Sequence, residues 1–207
     1  MNNILAEGNQ YFSEKLKAYG PTPKGVDWNS EHSQILRFQE FAKLLPVKGS
    51  KFTLCDFGCG YGAFFDYIKD KYPELVYTGY DINDDMISSA KEIYKASQLS
   101  PNWKTSLVQG QQFEYTIACG VLNLKLNASA SEWIEQVKST LQDINAITSN
   151  TFAFNILTSY SDEEKKKDYL YYADPCFWFD YCINNFSKNV SLIHDYRAYE
   201  FIIQVKK

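Results

Sequence analysis

The run Leu54–Phe65, LCDFGCGYGAFF, constrains this chain more than any other stretch. It begins with apolar residues suited to a buried strand and then places Gly58, Gly60 and Gly62 on alternate positions. Phe64, Phe65, Tyr67 and Ile68 follow on or near one helical face. A strand that turns into a helix through glycines lets a ligand come close to the backbone, because no Cβ holds it away. Such a turn also offers N–H groups and the positive end of a helix. Asp56 precedes the first glycine at the mouth of the turn, where its carboxylate can accept from a donor that N–H groups cannot satisfy.

A second acid has the matching spacing. Val76–Asp81, VYTGYD, reads as the next strand with its carboxylate at the carboxyl end. Asp81 follows Gly58 by 81 − 58 = 23 residues, near the roughly 20 expected between a nucleotide-binding glycine loop and the acid that holds a ribose hydroxyl. An acid before GxGxG and a second acid closing the next strand resemble the class I S-adenosylmethionine-dependent methyltransferases. The resemblance runs from about Lys51 to the C-terminus. It implies S-adenosyl-L-methionine as cofactor and S-adenosyl-L-homocysteine as product. The implied fold is α/β, a doubly wound Rossmann-like seven-stranded sheet with a C-terminal antiparallel hairpin. The cofactor would lie against Asp56, Gly58, Cys59, Gly60, Asp81 and Ile82. Gly58–Ala63 also satisfies GxGxxA, a permitted NAD fingerprint. An NAD-dependent oxidoreductase therefore stays open as an alternative, as does a protein that binds S-adenosylmethionine without catalysis. Asp56 weighs against the dinucleotide, since an anion there repels a pyrophosphate.

Residues 1–50 are expected to form an N-terminal helical lid and 51–207 the methyltransferase domain, one structural domain overall. Tyr11, Phe12, Leu16 and Tyr19 have near-helical spacing within Asn9–Tyr19, and two prolines and two glycines then forbid regular structure through Ser30. Asn29 or Ser30 can cap a second helix that ends before Pro46. GPTPKGVDWNS resembles a stretch found in a group of small bacterial methyltransferases, and it does not identify a substrate. In the resembled family such a segment folds over the cofactor. Arg37 is the candidate for the cofactor carboxylate, since a guanidinium forks carboxylates well, and Trp28 is a candidate for the acceptor side. The plain alternative is a surface Arg and a Trp packed under a loop.

Further along, Asn83 or Asp84 caps a helix, and Trp103–Val108 reads as the third strand. The resembled family carries an acid after the next glycine, where it meets the adenine amino group. Here Gln111 stands there, and its carbonyl can still accept. Phe113–Cys119 is the fourth strand, and the turn at Cys119 and Gly120 should line the methyl-donor pocket. ACGVLN lacks the Asn/Asp-Pro-Pro run of enzymes that methylate nucleic-acid amines. With a net charge of −4 and no long basic stripe, this points to a small-molecule acceptor, methylated on oxygen or nitrogen, and away from nucleic acid.

Ser131 can cap a helix carrying Trp133, Val137 and Leu141, and Thr151–Leu157 is the fifth strand. The polar insert that follows puts Lys165–Lys167 on a solvated helix face and offers Tyr169, Tyr172 and Asp174 as acceptor-site candidates. A helix over Pro175–Phe186 and strands over Val190–His194 and Tyr199–Lys206 close the chain. His194 is the candidate general base, because imidazole titrates near working pH. The alternative is a structural histidine bonded to the backbone. The five cysteines are odd in number and not spaced for zinc, so no metal is expected and reduced thiols in a cytoplasmic setting are. Met1–Tyr19 lacks the apolar run of a signal peptide, and no stretch is long and apolar enough to span a membrane. The sequence assigns neither the acceptor nor an oligomeric state.

Overall fold

A computed structural model describes residues 3–108 and 110–207. They fall into two compact units, Met1–Gln111 and Gln112–Lys207.

The first unit is built on three parallel strands, β1 (Thr53–Phe57), β2 (Val76–Tyr80) and β3 (Asn102–Lys104), in the spatial order β3-β2-β1. The middle residues of β1 and β2 are buried, as suits strands covered on both faces. Their register sets Asp56 beside Gly79 and Phe57 beside Tyr80. Strand β3 is shorter than the expected Trp103–Val108. It pairs only along Thr78–Tyr80, and the last bond runs from the Asp81 N–H to the Lys104 carbonyl. Beyond that point β2 has ended, so residues 105–108 have no strand to pair with.

Four helices accompany these strands: α1 (Asn3–Tyr19), α2 (Glu31–Lys43), α3 (Ala63–Ile68) and α4 (Asp84–Ile93). Helix α1 starts earlier than its aromatic spacing suggested. Helix α2 begins at Ser30, whose hydroxyl accepts from the Ser33 N–H while Ser33 returns the bond, a reciprocal cap. Asn83 caps α4 by accepting from the Met86 N–H at 2.9 Å. The Pro- and Gly-rich stretch between α1 and α2 is not wholly irregular, because Pro23–Val26 forms a 3-10 turn capped by Thr22. Proline at the first position suits such a turn, since no N–H is lost from it.

The second unit holds β4 (Phe113–Ala118), α5 (Ala130–Ile147), β5 (Thr148–Thr158), β6 (Tyr172–Ala173), α6 (Pro175–Asn185), β7 (Asn189–Ile193) and β8 (Glu200–Lys206). Strands β4 and β5 are parallel, β8 runs antiparallel to β5, and β7 runs antiparallel to β8. The antiparallel ending read from the sequence is therefore present. The two-residue strand β6, beside β5, was not foreseen.

Two other expectations are corrected. Helix α5 is capped by Ser129 rather than Ser131, because Glu132 lies three residues after Ser129 and returns its bond to the Ser129 N–H at 2.9 Å. Residues 163–165 form one 3-10 turn rather than a helix, and Lys166 is already extended. Phe152 and Phe154 project from the same face of β5, and the Phe186 ring lies 5.5 Å from that of Phe152. Phe152 and Phe154, both fully buried, each contribute roughly 1.5–3 kcal/mol.

Candidate active site

The glycine turn follows β1 directly, and three backbone carbonyl or carboxylate groups hold it. The Tyr80 carbonyl accepts from the Gly58 N–H at 2.7 Å and the Cys59 N–H at 3.0 Å. The Cys59 carbonyl accepts from the Gly62 N–H at 3.0 Å. The Gly60 N–H donates to Asp81 Oδ2 at 2.9 Å. Gly62 sits at φ 88° and starts α3, and a Cβ there would stand 2.5 Å from the Trp103 ring. Gly79 is under the same indole, with a Cβ reaching 2.5 Å from Trp103 Cε3. The loop thus lies over an aromatic floor in which Trp103 stacks on Tyr94 and meets Phe65 edge-on.

Asp81 stands at the carboxyl end of β2. Its second oxygen accepts from the Asn83 N–H at 2.9 Å, so one carboxylate ties the glycine turn to the start of α4. Part of Asp81 remains open. Burial of the rest pushes its pKa up, and the two N–H bonds oppose the rise. Each of its oxygens has a further lone pair for a ligand hydroxyl.

Asp56 is only 2% exposed. Its Oδ2 accepts from the Tyr77 hydroxyl at 2.6 Å, a partner on the neighbouring strand that the sequence reading did not identify. Burial pushes its pKa up from 3.8 to about 7, with the Tyr77 bond opposing and the Asp81 charge adding. Cys59 is buried in the same place, and desolvation raises its thiol pKa well above the ordinary value.

One residue of the N-terminal segment packs against this turn. Val26 Cγ1 lies 3.2 Å from where a Cβ on Gly60 would stand. Asn83, 2% exposed, directs Nδ2 at the Asn9 carbonyl (2.9 Å), Asn9 Oδ1 (2.7 Å) and Ser13 Oγ (2.9 Å), which fixes α1 against the start of α4. The Asp27 carboxylate takes the Tyr11 hydroxyl at 2.8 Å and Lys15 Nζ at 2.7 Å, joining α1 to the 3-10 turn. Arg37 and Trp28 are brought together. The guanidinium lies 4.4 Å over the indole, and Nη1 donates to the Ser33 carbonyl at 2.6 Å. Ile82 is half-buried between Asp81 and Asn83. Gln111 turns its side-chain oxygen to the Val108 N–H, 3.4 Å away.

In the second unit, Gly120 leaves β4 at φ 81° and donates its N–H to Asn155 Oδ1 at 2.7 Å. Cys119, beside it, is half-buried. Asn123 takes the Leu157 N–H on its side-chain oxygen and the Tyr171 N–H on its carbonyl. The turn after β4 is therefore pinned to both β5 and the β6 segment. The acceptor candidates have structural contacts of their own. The Tyr169 carbonyl receives the Lys125 and Leu126 N–H groups, the Tyr172 hydroxyl accepts from the Lys167 N–H at 3.0 Å, and Asp174 caps α6. His194 is exposed just beyond β7, its ring 6.1 Å from Tyr160 and 6.4 Å from Phe201. Among the described residues, no three His, Cys, Asp or Glu side chains converge as a metal site would require, and no helix is long and apolar enough to cross a membrane.

A family model described as a methyltransferase domain matches residues 55–147. The chain is 39% identical over 156 residues to the Mycobacterium tuberculosis (strain ATCC 25618 / H37Rv) protein named "Putative methyltransferase Rv1506c", a match covering 75% of this chain and 93% of that one. Among solved structures it is similar to magnesium protoporphyrin IX methyltransferase from Synechocystis PCC 6803 with bound SAH. That TM-score is 0.59 at 13% identity, over 100% of this chain and 89% of the other. It is also similar to the PH0226 protein from Pyrococcus horikoshii OT3, with a TM-score of 0.62 at 15% identity, over 92% of this chain and 98% of the other. At these identities the likeness to the two structures is one of fold.

Proposed function

The chain belongs to the class I S-adenosylmethionine-dependent methyltransferases, and from that premise we propose that it methylates an oxygen or nitrogen of a small-molecule acceptor. The observation that carries the cofactor assignment is the inward direction of the glycine-turn N–H groups. Those of Gly58, Cys59, Gly60 and Gly62 all donate to Tyr80, Cys59 or Asp81. A pyrophosphate needs such donors free at the loop. A cofactor held by its ribose needs instead an acid at the end of β2 with lone pairs to spare, which Asp81 supplies.

In this reading Asp81 takes the ribose hydroxyls, Gly58, Cys59 and Gly60 allow close approach, and Ile82 and Gln111 flank the adenine. Asp56 acts from beneath the turn, steadying β1 against β2 through Tyr77. Arg37, over the Trp28 ring, is proposed for the cofactor carboxylate, and Cys119 and Gly120 for the methyl-donor side. When bound, S-adenosylmethionine supplies an electrophilic methyl group, so alignment and exclusion of water are the main tasks left to the protein. Tyr169, Tyr172 and Asp174 are proposed for the acceptor, with His194 as base where the nucleophile is a hydroxyl. The net charge of −4 supports a small molecule over nucleic acid. The five free cysteines fit a reducing, cytoplasmic compartment.

The test is calorimetric titration with S-adenosylmethionine, S-adenosylhomocysteine and NAD, on the native protein and on Asp81→Ala. Both sulfur compounds should bind the native protein, NAD should not, and Asp81→Ala should lose the binding. NAD binding without a response to either sulfur compound would overturn the reading.

A further inference from the structure

Strand β7 ends the strand order of the sheet, and β8 is its one neighbour among the described residues. The direction of its backbone groups follows from the ladder beside it. The Thr158 N–H donates to the Tyr199 carbonyl and the Lys207 N–H to the Asn150 carbonyl, so the odd-numbered residues of β8 face β5 with their N–H and C=O groups. The even-numbered residues then turn theirs to β7, where they meet Asn189, Ser191 and Ile193. The N–H and C=O groups of Val190 and Leu192 are left pointing out of the sheet.

An open edge of this kind is a template for a further strand, and proteins usually blunt it with a charge or a proline. The run Asn189-Val190-Ser191-Leu192-Ile193 has neither. Its side chains leave the edge unfinished as well. Leu192 continues a row formed by Phe154 and Ile203, and Val190 continues the row of Phe152 and Val205. Those four inner residues are fully buried, whereas Leu192 is 36% exposed.

We propose that β7 pairs with β7 of a second copy of this chain, antiparallel about a two-fold axis at Ser191. Only Val190, Leu192 and their even-numbered flanks can exchange hydrogen bonds across this edge, which limits the registers. The register centred on Ser191 sets Val190 of each copy against Leu192 of the other, with two backbone hydrogen bonds in each such pair. Each apolar row then runs unbroken from one copy into the next: Phe154, Ile203 and Leu192 of one, then Val190, Val205 and Phe152 of the other. Exposed Lys188 falls opposite His194 and beside exposed Asp195 of the other copy, a cation next to an anion at both ends. Sliding the strands by two residues either way is worse, since it sets Leu192 against Lys188 or Val190 against His194. A two-fold contact closes on itself, so the species is a dimer. The inference does not depend on the methyltransferase reading.

Sedimentation velocity on the native protein over a micromolar concentration series should show a monomer–dimer equilibrium. Leu192→Lys puts a charge on the edge, and the dimer should be lost while the circular dichroism spectrum and thermal midpoint of the monomer hold. Ser191→Cys reads the register. Its thiols would face each other at a non-hydrogen-bonded position, with Cα atoms about 4.5 Å apart, within the span of a disulfide. Oxidation with diamide should therefore cross-link Ser191→Cys into a dimer and leave Asn189→Cys, which faces Ile193 of the other copy, as single chains. Both variants also carry Cys176→Ser, because Cys176 is exposed. A protein that stays monomeric throughout, a species larger than a dimer, a dimer that survives Leu192→Lys, or equal cross-linking of the two cysteine variants would overturn the proposal. The native mass and the Ser191→Cys cross-link decide the matter even if Leu192→Lys does not fold.

Discussion

Strand β8 has six of its seven residues buried, whereas the 17-residue helix α1 has none. The strand is held by apolar contact on both faces and by ladders to β5 and β7. The helix is held by side-chain hydrogen bonds: Asn83 to Asn9 and Ser13, and Asp27 to Tyr11 and Lys15. Water can replace bonds of the second kind almost one for one, so each contributes only about 0.5–1.5 kcal/mol net. Apolar burial has no such substitute in water. Helix α1 is thus fastened by interactions that can open without disturbing the core.

The largest effect that would sharpen this contrast is expected at β8. Phe201 is fully buried, and Phe201→Ala should lower stability by about 3–5 kcal/mol, read from the urea midpoint. A loss comparable to that of a surface substitution would mean that β8 is not the anchor described.

The polar interior of the first unit should respond to pH as well. The Asp56 carboxyl is pushed up from 3.8 to about 7, first by burial. Between about pH 4 and 7 the native state holds a proton that the unfolded chain has released, so stability falls as pH rises through that window and levels above it. The contribution is at most about 4 kcal/mol, and Asp81, also raised by burial, adds in the same direction. Asp56→Asn should flatten the midpoint-against-pH curve in this window, while Phe201→Ala should displace the curve nearly in parallel. A curve unchanged by Asp56→Asn would show that the proton resides elsewhere.

The smallest change should be at Asn83. Asn83→Ala removes the cap of α4 and the bonds to α1, for a global loss of about 1–2 kcal/mol. Hydrogen exchange should then quicken throughout α1 and remain slow in β8. Equal acceleration in both would break the distinction between them.

What could be read from the sequence depended on how local its cause is. The glycine turn, Asp81 and the Asn83 cap each follow from neighbours within a few positions, and all were legible. The cap at Ser129 is legible too, since Glu132 completes the Ser-x-x-Glu pattern, which Ser131 lacks. Strand β6 has two residues, too few to show any alternation. The truncation of β3 depends on where β2 stops. The partnership of Asp56 with Tyr77, and that of Asn155 with Gly120, exist only because distant segments meet. An Asn inside TFAFNILT reads simply as an interruption of an apolar strand.

Gly62, Gly79 and Trp103 carry a consequence for how this chain can diverge. Both glycines face the same indole, each within 2.5 Å of it if given a Cβ. Neither glycine position can accept even an alanine while Trp103 keeps its ring. Change at this spot therefore has a required order: the tryptophan must shrink before either glycine can vary, and Tyr94 beside Gly62 and Cys59 beside Gly79 must then give way as well. The order is strictest for Gly62, whose left-handed backbone would still resist a side chain after the ring had gone. Three positions spread over some forty residues are inherited as one character, and a descendant with a bulkier residue at 79 should carry a smaller one at 103.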